Sequence, residues 1–256
     1  MSTISIPRAL GRPIIHFDTV GSTMDEILAL ARANAAEGIV VVADHQTAGH
    51  GRADRTWITP PGAALLSSIL LRPGLAASAL SRLSILTALA VADTISDRIA
   101  ADVRIKWPND VQIDGRKCCG ILLRSHVLPG EQFPIVILGI GVNVSLWEQD
   151  LLPGATSLAV ECGREIDRDV LLTQLMTNLD SIYRRFLSGD LGADWSRATA
   201  RLAYVNEPVT IQDGDRNLSG TLSGLGAGGE LLLSTDDGGL VSIVSGDLTH
   251  GPRPVR

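Results

Sequence analysis

The sequence predicts an α+β protein: a larger mixed-sheet domain over residues 1–203, then a small β-barrel over residues 204–256. Three observations carry that expectation. Continuous β-branched runs such as Ile39 to Ala43 read as buried strands. Two stretches, one from about Ser78 to Ile99 and one after Asp167, repeat apolar residues at helical spacing. After about Tyr204 the texture changes to short alternating runs divided by Gly/Asp turns, as small barrels show.

The elements follow in order. Ser22 or Thr23 caps a first helix, with Asp25 and Glu26 in its first turn and Gly38 closing it. Strand 39–43 follows, then a Gly- and Arg-rich loop from Gln46 to Trp57 without apolar period. Ala64 to Leu71 is a second strand, ended by Pro73. The helix 78–99 aligns Leu80, Leu83, Leu86 and Ala90 on one face. Strands cluster at 103–106, 111–113, 119–124 and 135–138. Asp167 caps a helix whose stripe is Leu171, Leu175, Leu179 and Ile182, ending before Gly189. In the barrel, strands are expected at 209–211, 218–222, 231–233 and 241–244.

Composition narrows the function class. Apolar residues make up 45% and charged residues 20%, an ordinary globular balance. A net charge of −6 argues against holding nucleic acid by bulk electrostatics. The barrel segment alone carries seven acids against three bases, so specific DNA binding is not expected. Cys118, Cys119 and Cys162 make neither a disulfide framework nor a metal knuckle. The N-terminal residues hold no sustained apolar run, and no stretch of 18 apolar residues occurs. A cytoplasmic protein with no membrane partner is the expectation.

Several motifs fail in context. Gly224 to Gly229 satisfies G-x-G-x-x-G, but a strand pattern follows it, so it reads as a hairpin turn. There is no P-loop lysine and no G-x-S-x-G. The five histidines lack metal-ligand spacing, so no metal site is expected.

Other segments carry chemistry. Of 22 basic residues only Lys106 and Lys117 are lysines, eleven positions apart around Lys-Trp-Pro-Asn-Asp (106–110). An ammonium is a compact mobile charge, whereas guanidinium is a wider planar fork. Pro108 and Asn109 suit a tight reversal that sets Lys106 beside Asp110. In the loop, Gly49 and Gly51 allow close approach, Arg52 and Arg55 supply anion contacts, and Trp57 offers a flat face. The same loop equally fits a solvated turn with Trp57 as a core anchor. Gly139-Ile-Gly141-Val-Asn143 ends an apolar strand with two glycines and an amide that can read a base or ribose.

In order, Ser22-Thr23-Met24, the 49–57 loop, 106–110, Lys117 ahead of Gly120-Ile121-Leu122, and 139–144 resemble the biotin protein ligases. These enzymes attach biotin to carboxylase subunits. The resemblance runs from about residue 13 to 251 and implies a biotin/lipoate ligase-like catalytic domain with a C-terminal SH3-like barrel. Where the family pattern has Arg, Gly and Glu, this chain has His50, Asp54 and Arg124, which bears on how firmly an adenylate is held. The stretch ahead of Ser22 is too short for the DNA-binding winged helix that some members carry, so a form without it is expected.

The resemblance implies ATP-dependent biotinylation of a lysine on a biotin carboxyl carrier protein or domain of a carboxylase, through biotinoyl-5′-AMP with release of pyrophosphate. ATP, Mg²⁺ and biotin are the small molecules implied, and the protein is a monomer or homodimer. Lys117, Arg52 and Asp110 become the catalytic candidates. Ser22, Thr23, Met24, Gln46, His50, Gly51, Arg52 and Lys117 become biotin contacts. Arg52, Arg55, Trp57, Lys106, Asn109 and Asn143 become nucleotide contacts. The alternatives are a lipoate or octanoate ligase of the same superfamily, and a catalytically silent biotin-binding sensor.

Overall fold

The computed structural model describes residues 10–214 and 216–250; of the charges counted for residues 204–256, Asp215, Arg253 and Arg256 lie outside them. The larger sheet has seven strands: β1 (Ile14–Val20), β2 (Val40–Gln46), β3 (Ala64–Leu71), β4 (Val103–Lys106), β5 (Asp110–Ile113), β6 (Arg116–His126) and β7 (Ile135–Asn143). Their spatial order is β1-β2-β3-β7-β6-β5-β4. Only β1 and β2 run parallel; the other neighbours are antiparallel, which makes the sheet mixed.

Helices cover both faces. On one lie α2 (Ser81–Ser96) and α4 (Arg168–Ser188), with α3 (Leu158–Cys162) and α5 (Gly192–Ala200) completing that layer. On the other lies α1 (Thr23–Arg32), whose Met24, Ile27 and Ala31 meet Ile135 and Ile137 of β7. Even-numbered Leu138, Ile140 and Val142 join the main core, so the odd-numbered residues of β7 face the α1 side. Residues 77–96 are long and apolar enough to cross a membrane by composition. Yet eleven residues of α2 are buried inside the protein.

Beyond α5 comes a five-stranded antiparallel sheet of β8 (Pro208–Asp213), β9 (Arg216–Leu225), β10 (Leu231–Ser234), β11 (Leu240–Ile243) and β12 (Asp247–His250), in the order β11-β10-β9-β8-β12. Its Val209, Ile211, Leu222, Leu231 and Leu233 belong to the main core cluster. The G-x-G-x-x-G segment is the β9–β10 turn. There Gly229 O accepts from Trp107 Nε1 at 3.0 Å and Gly228 O accepts from Ser81 Oγ at 2.6 Å. That turn therefore ties the small sheet to the 106–110 reversal.

Local differences from the sequence reading have physical reasons. Ser22 is the cap of α1, its Oγ accepting from Met24 N at 3.3 Å. The helix ends at Arg32, short of Gly38, because Asn34 takes a left-handed φ of 63° that asparagine tolerates. Gly38, at φ 89°, turns the chain into β2 instead. Strands β6 and β7 run past their expected ends, and β7 carries Gly139 and Gly141 within its ladder. The strands β1 and β12 and the helices α3 and α5 are additions to the sequence reading. All three cysteines are free, and burial pushes the Cys118 and Cys119 thiols upward, leaving them inert.

Trp107→Phe keeps the apolar bulk and deletes the indole bond to Gly229. A loss of about 1–2 kcal/mol is expected, read as a lowered urea midpoint at unchanged slope.

Candidate active site

One cleft of about 790 Å³ opens on the α1 side of the large sheet, a size that suits a small ligand. Its floor is built in steps along β7, each two residues advancing about 6.7 Å. At Gly139 a β-carbon would stand 3.0 Å from Met24 Sδ. At Gly141 it would stand 2.8 Å from the Trp57 indole, and at Gly120 on β6 2.7 Å from the same ring. The two glycines thus let Trp57 lie flat across the sheet. At the third step Asn143, buried, donates from Nδ2 to Thr156 O at 2.9 Å.

At the Met24 end the wall is polar. Thr23 donates from both N (2.8 Å) and Oγ1 (3.0 Å) to Gln46 Oε1, and its Oγ1 lies 2.7 Å from Ser68 Oγ. Gln46 Oε1 thus accepts twice, and its amide nitrogen has no hydrogen-bond partner among the described residues. Ser68, level with Gly139 in the middle of β3, turns its buried hydroxyl to this wall, whereas Ser67 alternates to the core face, where its Oγ donates to Ile140 O at 3.4 Å. The Trp57 indole N–H is also buried, with no hydrogen-bond partner among the described residues.

At the other end stand the cations. The 106–110 reversal pairs Lys106 with Asp110 in register, as the sequence suggested. Asp110 Oδ1 lies 2.8 Å from Lys117 Nζ, which in turn sits 5.5 Å from the Trp57 ring centre. Burial lowers the Lys106 pKa; Asp110 and Asp247 oppose that shift, while Lys117 and Arg55 add to it.

The Arg-rich loop is a hairpin. His50 bridges to Thr56, and Gly51 N donates to Arg55 O at 2.7 Å. Ala53 and Asp54 both take left-handed φ values, 50° and 57°. The family's glycine fits the second position without strain, and aspartate is among the few residues that also accept it. Arg52 donates to Asn109 Oδ1 at 3.1 Å and to Gly246 O at 3.2 Å, and Arg55 reaches Asp247. His50 Nε2 pairs with Asp25 of α1 at 3.0 Å, which ties the loop to that helix.

Fourteen of the sequence candidates, from Ser22 to Asn143, line this one cleft: Ser22, Thr23, Met24, Gln46, His50, Gly51, Arg52, Arg55, Trp57, Lys106, Asn109, Asp110, Lys117 and Asn143. Asn109 spends both ends of its amide within the protein, on Arg52 and on Ile121 O. Arg124 is absent from the lining and faces a separate groove beside the β9–β10 turn. Sequence reasoning missed Ser68, legible as a hydroxyl inside Leu-Leu-Ser-Ser-Ile-Leu-Leu. It also missed Asp247, Tyr204 and the rim residues Leu151 and Leu152, which give no local signal.

Comparison with known proteins bears on this cleft. Residues 17–143 match the model of the biotin/lipoate A/B protein ligase family, and residues 204–251 match the biotin protein ligase C-terminal domain. The chain is 33% identical over 252 residues to the bifunctional ligase/repressor BirA of Bacillus subtilis, covering 94% of this chain and 75% of that one. It is 34% identical over 239 residues to the biotin–[acetyl-CoA-carboxylase] ligase of Mycobacterium tuberculosis, covering 90% and 86%. A solved Aquifex aeolicus biotin protein ligase in complex with biotin and ATP superposes with a TM-score of 0.81 at 27% identity, covering 94% of this chain and all of that one.

Gly141→Ala forces Trp57 off the sheet or strains the floor, at an expected cost of about 1–3 kcal/mol. Tryptophan emission should shift to the red. Gly192→Ala, with open space at its β-carbon, should leave emission and stability unchanged.

Proposed function

The chain belongs to the biotin protein ligases, and from that premise we infer how its own residues divide the work of joining biotin to ATP and then to a protein lysine. One observation carries the division: a polar, hydrogen-bonded end and a four-cation end share a single cleft, with Trp57 lying between glycines on its floor.

The enzyme uses ATP and biotin. The polar end suits biotin's ureido ring, with Ser22, Thr23 and the Gln46 amide facing its carbonyl and N–H groups, and Met24 and the apolar strands sheathing the tail. The carboxylate then points toward Lys117. A carboxylate oxygen attacks the α-phosphorus of ATP, the bond to the β-phosphate oxygen breaks, and pyrophosphate leaves. Both reactants are anions, so the barrier falls where cations already stand. Lys117 can bridge carboxylate and phosphate, its mobile ammonium following the charge as it shifts. Lys106, Arg52 and Arg55 face the remaining phosphate oxygens. The indole N–H of Trp57 supplies a donor to the bound acid or adenylate, while Asn143 and Asn109 hold the surrounding loops.

Each carboxylate at this corner already has a cation partner: Asp110 has Lys117, and Asp247 has Arg55. Those residues do not form a resident metal cage, so Mg²⁺ enters as part of the substrate, the ATP complex.

In the second step the amine of an acceptor lysine attacks the acyl carbon of the mixed anhydride and AMP leaves. The acceptor we propose is the biotin carboxyl carrier protein or domain of a carboxylase. Asp110 stands where a carboxylate can orient that amine. The acidic C-terminal segment supports an enzyme without specific DNA binding, and the free cysteines of the larger domain support a cytoplasmic setting. Its working form is a monomer or homodimer.

The deciding assay combines protein, ATP, Mg²⁺ and an apo carboxyl-carrier domain with biotin or lipoate, and weighs the carrier. A gain of one biotin, with no gain from lipoate, is expected; the reverse pattern overturns the assignment. Lys117→Ala should abolish pyrophosphate release in a folded protein. Lys117→Arg should be badly impaired too, because the wider fork cannot bridge two anions at the same distance, and a wild-type rate there would remove the role given to Lys117.

Arg52 makes a charge-assisted contact worth about 1.5–3 kcal/mol, or about ten- to a hundredfold in adenylate dissociation. Arg52→Gly should still form adenylate but leak it, labelling added albumin. An unchanged ratio of albumin to carrier label would show that the loop does not retain the intermediate.

A further inference from the structure

Asp247 stands far along the chain from every motif, on the first residue of β12, yet it faces the phosphate end of the cleft. Its two oxygens are shared between the two loop arginines. Oδ1 lies 3.6 Å from Arg52 Nη1, and Oδ2 pairs with Arg55 Nη2. The neighbouring Gly246 O accepts from Arg52 Nη2 at 3.2 Å. Lys106 also feels its charge. A carboxylate bridging two guanidinium groups beside a lysine does what a phosphate with two free oxygens would do at the same place.

We propose that Asp247 is a positioning residue that occupies the phosphate's place, holding the Arg52–Arg55 loop on the small sheet until the nucleotide displaces it. The inference rests on the ligase reading above and extends it to the small domain. Three features fit this role. The carboxylate is half-exposed (49%), so a dissolved polyanion can reach the pair. Exposed ion pairs are weak, so a triphosphate with several oxygens outcompetes a single carboxylate. Without Asp247, Arg52, Arg55 and Lys106 would repel one another around a poorly balanced corner, and the loop would leave the cleft more often.

A contact that must break before ATP binds lowers apparent affinity by the fraction of molecules already open. Asp247→Asn keeps the shape of β12 and removes the charge. It should lower the KM for ATP about two- to fivefold with kcat for pyrophosphate release unchanged. A merely structural role would raise KM or lower kcat. In the same protein without nucleotide, trypsin should cut faster after Arg52 and Arg55 than in the wild type, and Asp247→Glu should restore both readings.

An unchanged or raised KM in Asp247→Asn, or unchanged cutting of the nucleotide-free loop, overturns the proposal. The two readings fail separately. A wild-type protein that releases no pyrophosphate with biotin and ATP contradicts the ligase reading, while the cutting rates still decide whether Asp247 holds the loop.

Discussion

Four cations at one end of one cleft are a liability before they are an asset. Arg52, Arg55, Lys106 and Lys117 would repel one another strongly in a half-buried setting, and burial already pulls Lys106 toward its neutral form. The corner is held by two carboxylates, Asp110 against Lys117 at 2.8 Å and Asp247 against the loop arginines. They arrive from opposite parts of the chain, one on β5 and one on β12. Much of the architecture exists to bring them there. The 106–110 reversal sets Lys106 and Asp110 in register, and the small sheet delivers Asp247.

The corner works only beside a floor that leaves room for a ligand. A regular strand would present side chains at positions 139 and 141, and these would fill the cleft. Glycine at both, with Gly120 alongside, keeps the floor low enough for Met24 and Trp57 to lie on it. That concession costs strand stability, and it is offset by burying the opposite face of β7 (Leu138, Ile140 and Val142) in the main core. Function sits on one face of the strand, and stability sits on the other.

Much of this was legible in the residues, and the remainder had definite reasons not to be. Strands with continuous apolar runs, such as β3, and helices with clear caps, such as α4 after Asp167, follow local rules. The scarcity of lysine singled out Lys106 and Lys117 before any geometry. The strand β1 escaped notice because it lies at the sheet edge with a largely exposed, mixed pattern. The end of α1 depended on Asn34, whose left-handed turn competes with a weak helical preference. Asn109 and Asn143 line the cleft, and each also donates to a backbone carbonyl far along the chain, a bond that only tertiary structure reveals. Asp247 is one of seven acids in its segment, and only tertiary structure sets it apart from the rest.

The central claim is that this cleft activates an acid by joining it to the α-phosphate of ATP before any acceptor arrives. Exchange of labelled pyrophosphate into ATP tests it most directly, because exchange requires a reversible adenylate and no second protein. With Mg²⁺ present and no carrier, exchange should be absent without biotin and rapid with it. Exchange that ignored biotin, or that appeared only once a carrier domain was added, would contradict the account.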